Sequence, residues 1–222
     1  MNEGILLVDK PAKMSSFSMV YAARKRLGVK KIGHGGTLDP FATGLIVLLV
    51  GKNYTRRASQ FLDGDKEYIA KMRLGEATDS FDCEGAIVAE SDKIPSLQEI
   101  EEVIASFQGT ISQVPPMFSA KKINGVRLYE HARKGRVIER EPVLVHVKIE
   151  EVRYSYPALE FRVSCSKGTY IRALSDDIGK ALGTFAHLQE LRRTRSGRFT
   201  IDDCIAYSKL IDPNCEVRLR DT

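Results

Sequence analysis

VLVHVKI, Val143 to Ile149, and LEFRVSC, Leu159 to Cys165, are the stretches whose reading decides the fold class. Both alternate apolar and polar residues with a period of two, the pattern of a strand with one face on a core and the other in water. Their closeness in the chain favours antiparallel pairing. Tyr68, Ala70, Met72 and Leu74 alternate in the same way, while Leu45 to Val50 is an unbroken apolar run of strand length and Ile5 to Val8 a shorter one. Helical spacing intervenes. Phe17, Val20, Tyr21, Arg24 and Leu27 follow a cap at Ser15 or Ser16 and end at Gly28, and a helix is also expected from Tyr54 to Leu62. Leu97, Ile100, Val103, Ile104 and Phe107 follow a Ser96–Glu99 capping box; Ile171, Leu174, Ile178 and Leu182 precede Gly183. Strands and helices mix without a regular strand–helix–strand rhythm. The expectation is an α+β fold with a mixed, largely antiparallel sheet flanked by helices and loops. No repeat or flexible linker divides the chain, so residues 1–222 read as one domain. A peripheral insertion is expected around 115–143, where Pro115-Pro116 breaks the chain, Asn124-Gly125 turns it and a short basic helix runs near Leu128 to Lys134.

Composition narrows the function classes. The profile, 43% hydrophobic and 28% charged, is that of an ordinary soluble globular protein. No apolar run approaches the roughly 18 to 20 residues that span a bilayer, and the N-terminus lacks the marks of a signal peptide, so a cytoplasmic protein is expected. Cys83, Cys165, Cys204 and Cys215 have no CxxC spacing, and His34, His131, His146 and His187 are equally scattered, so no metal is expected. The net charge of +5 is compatible with a polyanionic partner. Three basic clusters sharpen that: Arg24, Lys25, Arg26, Lys30 and Lys31; Lys52, Arg56 and Arg57; Arg192, Arg193, Arg195 and Arg198. One such cluster is more often a solvated face. Three that bracket candidate active-site segments point towards phosphate contact.

The first candidate segment is Gly33-His34-Gly35-Gly36-Thr37-Leu38-Asp39-Pro40. It is neither a P-loop nor a dinucleotide fingerprint, and its three glycines in four positions predict a loop. Asp-Pro by itself most often starts a helix, but Ala42-Thr43-Gly44 and the apolar run that follow leave little room for one. The second segment is Ser166 to Arg172, a turn between a strand and a helix, with Thr169 as the expected cap. Arg172 in a first helical turn opposes the macrodipole, which asks for a carboxylate partner. Tyr68 is by default a core aromatic. Ser119-Ala120-Lys121-Lys122 matches the SxxK pattern of serine acyl enzymes, but no SDN or KTG accompanies it.

GHGGTLDPFATG, Gly33 to Gly44, resembles the signature of the TruB-type pseudouridine synthase family, which modifies the T-loop uridine of transfer RNA at the conventional position 55. The resemblance extends in order through LLVDKP (6–11), KEYIAKMRLGEATDSFDCEG (66–85), PPMFSAKKINGVRLYEHARKG (115–135), CSKGTYIRALSDDIG (165–179) and AHLQELRR (186–193). It implies a pseudouridine synthase fold and an isomerisation that needs no cofactor. By the same resemblance Asp39 is the nucleophile, with its point of attack, C6 of the base or C1′ of the sugar, left open. Arg172 pairs with that carboxylate, and Tyr68 stacks on the target base. Tyr170 and Leu191 line the uracil pocket, His34 fills the space of the flipped nucleotide and Asp82 touches the flipped segment. Lys10, with Pro11, packs beneath the site. The insertion closes over RNA like a thumb.

Many bacterial relatives carry a small C-terminal RNA-binding domain, whereas this sequence ends at Thr222. Grip on RNA is therefore expected from the core and the insertion, with an isolated T-arm stem-loop serving nearly as well as whole tRNA. A monomer is the default expectation. The competing readings are a guide-RNA-dependent pseudouridine synthase and a non-catalytic RNA-binding module.

Overall fold

A computed structural model describes residues 3–119, 122–123, 125–132, 135–136 and 138–221. Residue contacts gather into two compact units, one of residues 1–69 with 191–222 and one of residues 70–190.

The first unit begins with β1 (Gly4–Lys10), α1 (Ser16–Leu27), β2 (Ile32–Gly35), β3 (Thr43–Val50), α2 (Lys52–Arg56), α3 (Ala58–Leu62) and the start of β4 (Lys66–Leu74). The second continues with β5 (Glu76–Thr78), β6 (Ile87–Glu90), α4 (Leu97–Ser106) and β7 (Gly109–Gln113). Then come β8 (Lys122–Ile123), β9 (Val126–Arg127), α5 (Leu128–Ala132), β10 (Val143–Ser155), β11 (Ala158–Cys165), α6 (Ile171–Ala181) and β12 (Ala186–Ser196). The chain returns to the first unit with β13 (Phe199–Thr200), a 3-10 turn, β14 (Ile205–Ala206) and α7 (Tyr207–Ile211). Strands β4 and β12 each contribute to both units.

Within the first unit the strand order is β14-β1-β3-β12, with β2 also on β3 and β13 on β12. The β1–β3 and β2–β3 pairs are antiparallel, and β3–β12 and β1–β14 are parallel. Both faces of β1 and β3 are covered, which is why their sequences are apolar without alternation. Leu6, Val8, Ile46 and Leu48 pack with Met19, Val20 and Ala23 of α1 and with Leu210, while Ile5, Leu7, Leu45 and Val47 pack with Tyr54, Phe61 and Phe199. In the second unit β4, β11, β10 and β7 lie in that order, with β10 antiparallel to both neighbours. Here one face is buried, as the alternation of β10 and β11 predicts: Val145, Val147, Ile149, Leu159, Phe161, Val163 and Cys165 are all inside. The mixed, mostly antiparallel sheet agrees with the sequence-based expectation.

Several local expectations need correction. Residues 33–35 are not loop but lie in β2, paired through His34 with Leu48 and through Gly35 with Val47; the ladder bonds of β3 offset the poor strand propensity of glycine. Left-handed backbone begins only at Gly36, with φ +68°. The predicted helix from Tyr54 is two short helices, broken at Arg57, whose φ of −100° and ψ of 27° leave the helical region. On α1 the expected stripe through Phe17 and Tyr21 is not the core face; Met19, Val20 and Ala23 are, and Phe17 and Tyr21 face solvent. Thr169 does not cap α6, because its hydroxyl donates to Ser166 O and Tyr170 takes the cap position. Gln113 pairs with Val143, so the insertion is the long connection between neighbouring strands β7 and β10. Within it the expected turn residue Asn124, together with Lys134 at the end of the short helix, lies outside the described residues.

Candidate active site

In the first unit, the loop from Gly36 to Ala42 is fixed on both sides of Asp39. Ser16, the first residue of α1, is buried; its Oγ accepts from Leu38 N at 2.9 Å and donates to Leu38 O at 3.0 Å. On the other side, Lys10 Nζ donates to Pro40 O at 3.1 Å, and also to the carbonyls of Pro11 and Met14. This ammonium is fully buried and repays its lost hydration with carbonyl dipoles. Lys10 thus braces the residue that follows Asp39. Ahead of the loop, Arg193 Nη2 donates to Gly36 O at 3.0 Å while its Nε donates to Leu45 O at 2.7 Å. Ala42 N closes a turn onto Asp39 O, and β3 follows at once, so no helix starts at Asp39-Pro40. Asp39 is half-buried between these anchored positions.

Gly44 explains why this loop ends in glycine. Its φ is +99°, and a Cβ there would stand 2.3 Å from Arg193 O and 2.8 Å from Arg193 N. Only glycine lets β12 approach β3 at the Arg193–Gly44 register. His34 is half-buried on β2, and its Nδ1 is buried with no hydrogen-bond partner. Burial first, and then the nearby Arg193 charge, hold its pKa below the ordinary histidine value, so the imidazole is neutral at pH 7. Tyr68 and Leu191 are both 7% exposed.

The second unit holds Asp82, Tyr170 and Arg172. The Arg172 guanidinium is buried, donating from Nη1 to Ser80 O at 2.9 Å and from Nη2 to Phe118 O at 2.6 Å. Its Nη1 also lies 3.3 Å from Asp82 Oδ2, which answers the requirement for a carboxylate near this helix N-terminus. Asp82 is buried too, and its Oδ1 accepts from the Ser80 hydroxyl at 2.6 Å and from Glu84 N at 3.1 Å. Tyr170 is held by its backbone: its N–H donates to Gln113 Oε1 at 2.8 Å and its carbonyl accepts from Gln113 Nε2 at 3.1 Å. Gln113 is fully buried.

Sequence reading missed Ser16, Gln113 and the role of Arg193. The expectation of phosphate contact fails at Arg193, which is 1% exposed and bonded within the protein. Arg192 is engaged as well, in a two-point pair with Asp9 at 2.8 and 3.1 Å. A usable signal existed: on a strand, Arg193 shares the face of Leu191. Among the described residues, no three His, Cys, Asp or Glu side chains gather as metal ligands, and no helix is long and apolar enough to cross a membrane.

Comparison with known proteins places this fold in the pseudouridine synthase class and narrows it. The model described as TruB family pseudouridylate synthase (N terminal domain) matches residues 24–171, and that described as tRNA pseudouridylate synthase B C-terminal domain matches residues 172–220. The chain belongs to the TruB family. It is 59% identical to the tRNA pseudouridine synthase B of Protochlamydia amoebophila, over 91% of this chain and 78% of that protein. It is 54% identical to that of Chlamydia pneumoniae, over 100% and 95%. Among solved structures, a chain of a Cbf5-Nop10-Gar1 complex superposes with a TM-score of 0.74 at 32% identity, over 95% of this chain and 54% of that one. A chain of an H/ACA RNP bound to a substrate RNA containing 2′-deoxyuridine gives 0.68 at 31%, over 94% and 52%. This chain thus spans about half the length of those solved chains.

Proposed function

We propose that this protein is a tRNA pseudouridine synthase that isomerises the uridine at position 55 of the T-loop, with Asp39 as nucleophile. The observation that carries the reading is the bracing of the loop at Gly36, Leu38 and Pro40 around a half-buried Asp39. Such bracing suits a carboxylate that must meet one atom of a flipped nucleotide, since a misplaced group forfeits much of its effective concentration. The curated relatives at 52–59% identity are all named for tRNA, which favours tRNA over a guide-RNA particle as the working context.

The chemistry balances without an oxidant or reductant. The N1–C1′ bond breaks, the uracil turns, a C5–C1′ bond forms, C5 loses a proton and N1 gains one. Asp39 adds to C6 or attacks C1′; both routes need an ionised carboxylate. Arg172 serves that ionisation as a cationic partner, and Asp82 with Ser80 holds the guanidinium in one orientation. Tyr68, Tyr170 and Leu191 supply apolar and aromatic contact for the flipped base, which offsets a few kcal/mol of unstacking. Neutral His34 fills the vacated stack without placing a charge there. The T-arm stem-loop is the recognised element, the 115–143 insertion closes over it, and the protein acts as a monomer in the cytoplasm.

Tritium release from a T-arm stem-loop labelled at C5 of its uridines tests the reading with wild type and Asp39→Asn. Release by wild type alone is expected. Equal release by both would remove Asp39 from its role, and no release by either would refute the activity.

A further inference from the structure

Helix α1 buries one face and leaves another bare. Met19, Val20 and Ala23 lie in the core, while Phe17 is 58% and Tyr21 65% exposed. Four residues apart, these two rings sit on one side of the helix, in a row continued by Lys25 and met by Met14 from ahead of the helix. Together with Tyr207, Ile211 and Pro213 they line an open groove of about 750 Å³ between α1 and α7. The charged residues lining it, Lys25 and Arg26, are both basic. Arg24 lies over the Phe17 ring at 5.5 Å, and exposed Lys30 and Lys31 follow the end of the helix. The carbonyls of Pro213 and Cys215 accept from Arg26 and fix it at the groove wall.

Charge selects the occupant. Arg26 is already met by the Pro213 and Cys215 carbonyls and lies near the Asp212 carboxylate, so an apolar peptide would cover the rings but leave exposed Lys25, with Lys30 and Lys31 beyond the helix end, uncompensated. A single-stranded polyanion satisfies both, its bases stacking on the aromatic faces and its phosphates meeting the basic side chains. We infer that the α1–α7 groove is a second RNA contact, taking unpaired bases of tRNA that lie outside the T-arm stem-loop. The inference rests on tRNA being the substrate. It also gives α1 two tasks, because the same helix holds Leu38 through Ser16. Tyr21 lies about 8 Å further along its axis than Ser16, so the groove is separate from the Asp39 loop. A contact here makes whole tRNA a better substrate than the stem-loop, against the expectation drawn from the sequence.

The test is a Phe17→Leu/Tyr21→Leu double variant, which keeps apolar bulk and removes the stacking faces. Dissociation constants and kcat/KM are measured on a whole tRNA transcript and on the isolated stem-loop. The expected result is a loss of roughly tenfold or more in affinity and kcat/KM for whole tRNA, with Lys25→Glu weakening it independently. On this inference the stem-loop does not reach the groove, so unchanged kcat/KM on the stem-loop serves as the control for folding. Equal affinity of variant and wild type for whole tRNA would overturn the inference. Equal affinity together with wild-type self-association abolished by Phe17→Glu would overturn it in favour of a second copy of this chain. If wild type binds tRNA without isomerising it, the functional reading fails, and the affinity comparison still decides the groove by the same criterion.

Discussion

The guanidinium of Arg193 and the carbonyl of Gly36 are 157 positions apart in the chain and 3.0 Å apart in the fold. With the second bond to Leu45 O at 2.7 Å, one buried side chain sets where β3 begins and where the Asp39 loop departs from β2. Lysine carries the same charge but cannot deliver two fixed donors in different directions. Arg193→Lys is therefore expected to cost about 1–3 kcal/mol for the orphaned carbonyls and to slow single-turnover isomerisation by roughly tenfold or more through a displaced Asp39. Arg192→Ala, which removes a half-exposed pair with Asp9, changes stability by about 1 kcal/mol or less. Urea unfolding of the two variants beside wild type checks the contrast.

Gly44 faces the backbone of the same residue. A methyl group there meets Arg193 O at 2.3 Å on a backbone with φ +99°, so strand separation and dihedral strain act together. Gly44→Ala should lose about 2–4 kcal/mol and lower Tm by about 2–4 °C for each of them. Gly28→Ala, at a helix end where φ is +67° but nothing stands within 4 Å of the added carbon, should cost only about 1 kcal/mol. Calorimetry of the pair separates the close approach from the dihedral.

Asp82 and Arg172 are each about one-twentieth exposed, so removing one charge strands the other. Asp82→Ala is expected to cost about 3–5 kcal/mol, and Asp82→Asn less, because the amide still accepts from Ser80 and Glu84. Both should depress kcat more than KM, since the misoriented group is Arg172 rather than a surface that binds RNA. A KM that rises alone would instead support direct contact of Asp82 with the flipped segment.

Asp177 on α6 gives a pH signature. Burial, then the neighbouring Asp176, push its carboxyl up to about 6 from an ordinary 3.8. Above pH 6 the folded protein holds a poorly solvated charge that the unfolded chain solvates freely, so the group opposes folding there. As pH falls from 6 towards 4 the folded state takes up its proton first, and the penalty disappears. Asp177→Asn should therefore be more stable than wild type at pH 7 to 8 by about 1 kcal/mol, allowing for partial exposure. The advantage should vanish near pH 4 in denaturation curves taken across that range.

What could be read in advance was local. Ser15 and Gly28 cap α1, and Ser96 with Glu99 opens α4, as predicted, because caps involve residues three or four apart. The alternation of β10 and β11 gave their buried faces for the same reason. Less legible were β2, whose glycines pair only because β3 lies beside them, and α1, where either of two apolar faces fits helical spacing.

The sequence by itself determined strands β1, β3, β4, β10 and β11, the caps of α1 and α4, the family signature and the identity of the candidate reacting groups, since each is written in neighbouring residues. Only the tertiary structure decided which arginine of a basic run is interior, that Asp82 meets Arg172, what Gln113 holds, and that Phe17 and Tyr21 face water. Those outcomes depend on burial and on donors and acceptors brought together from 50 to 160 positions away, roughly the separations of Gln113 from Tyr170 and of Arg193 from Gly36. No pattern within one segment encodes them, because their energies come from excluding water between segments that meet only when the chain has folded.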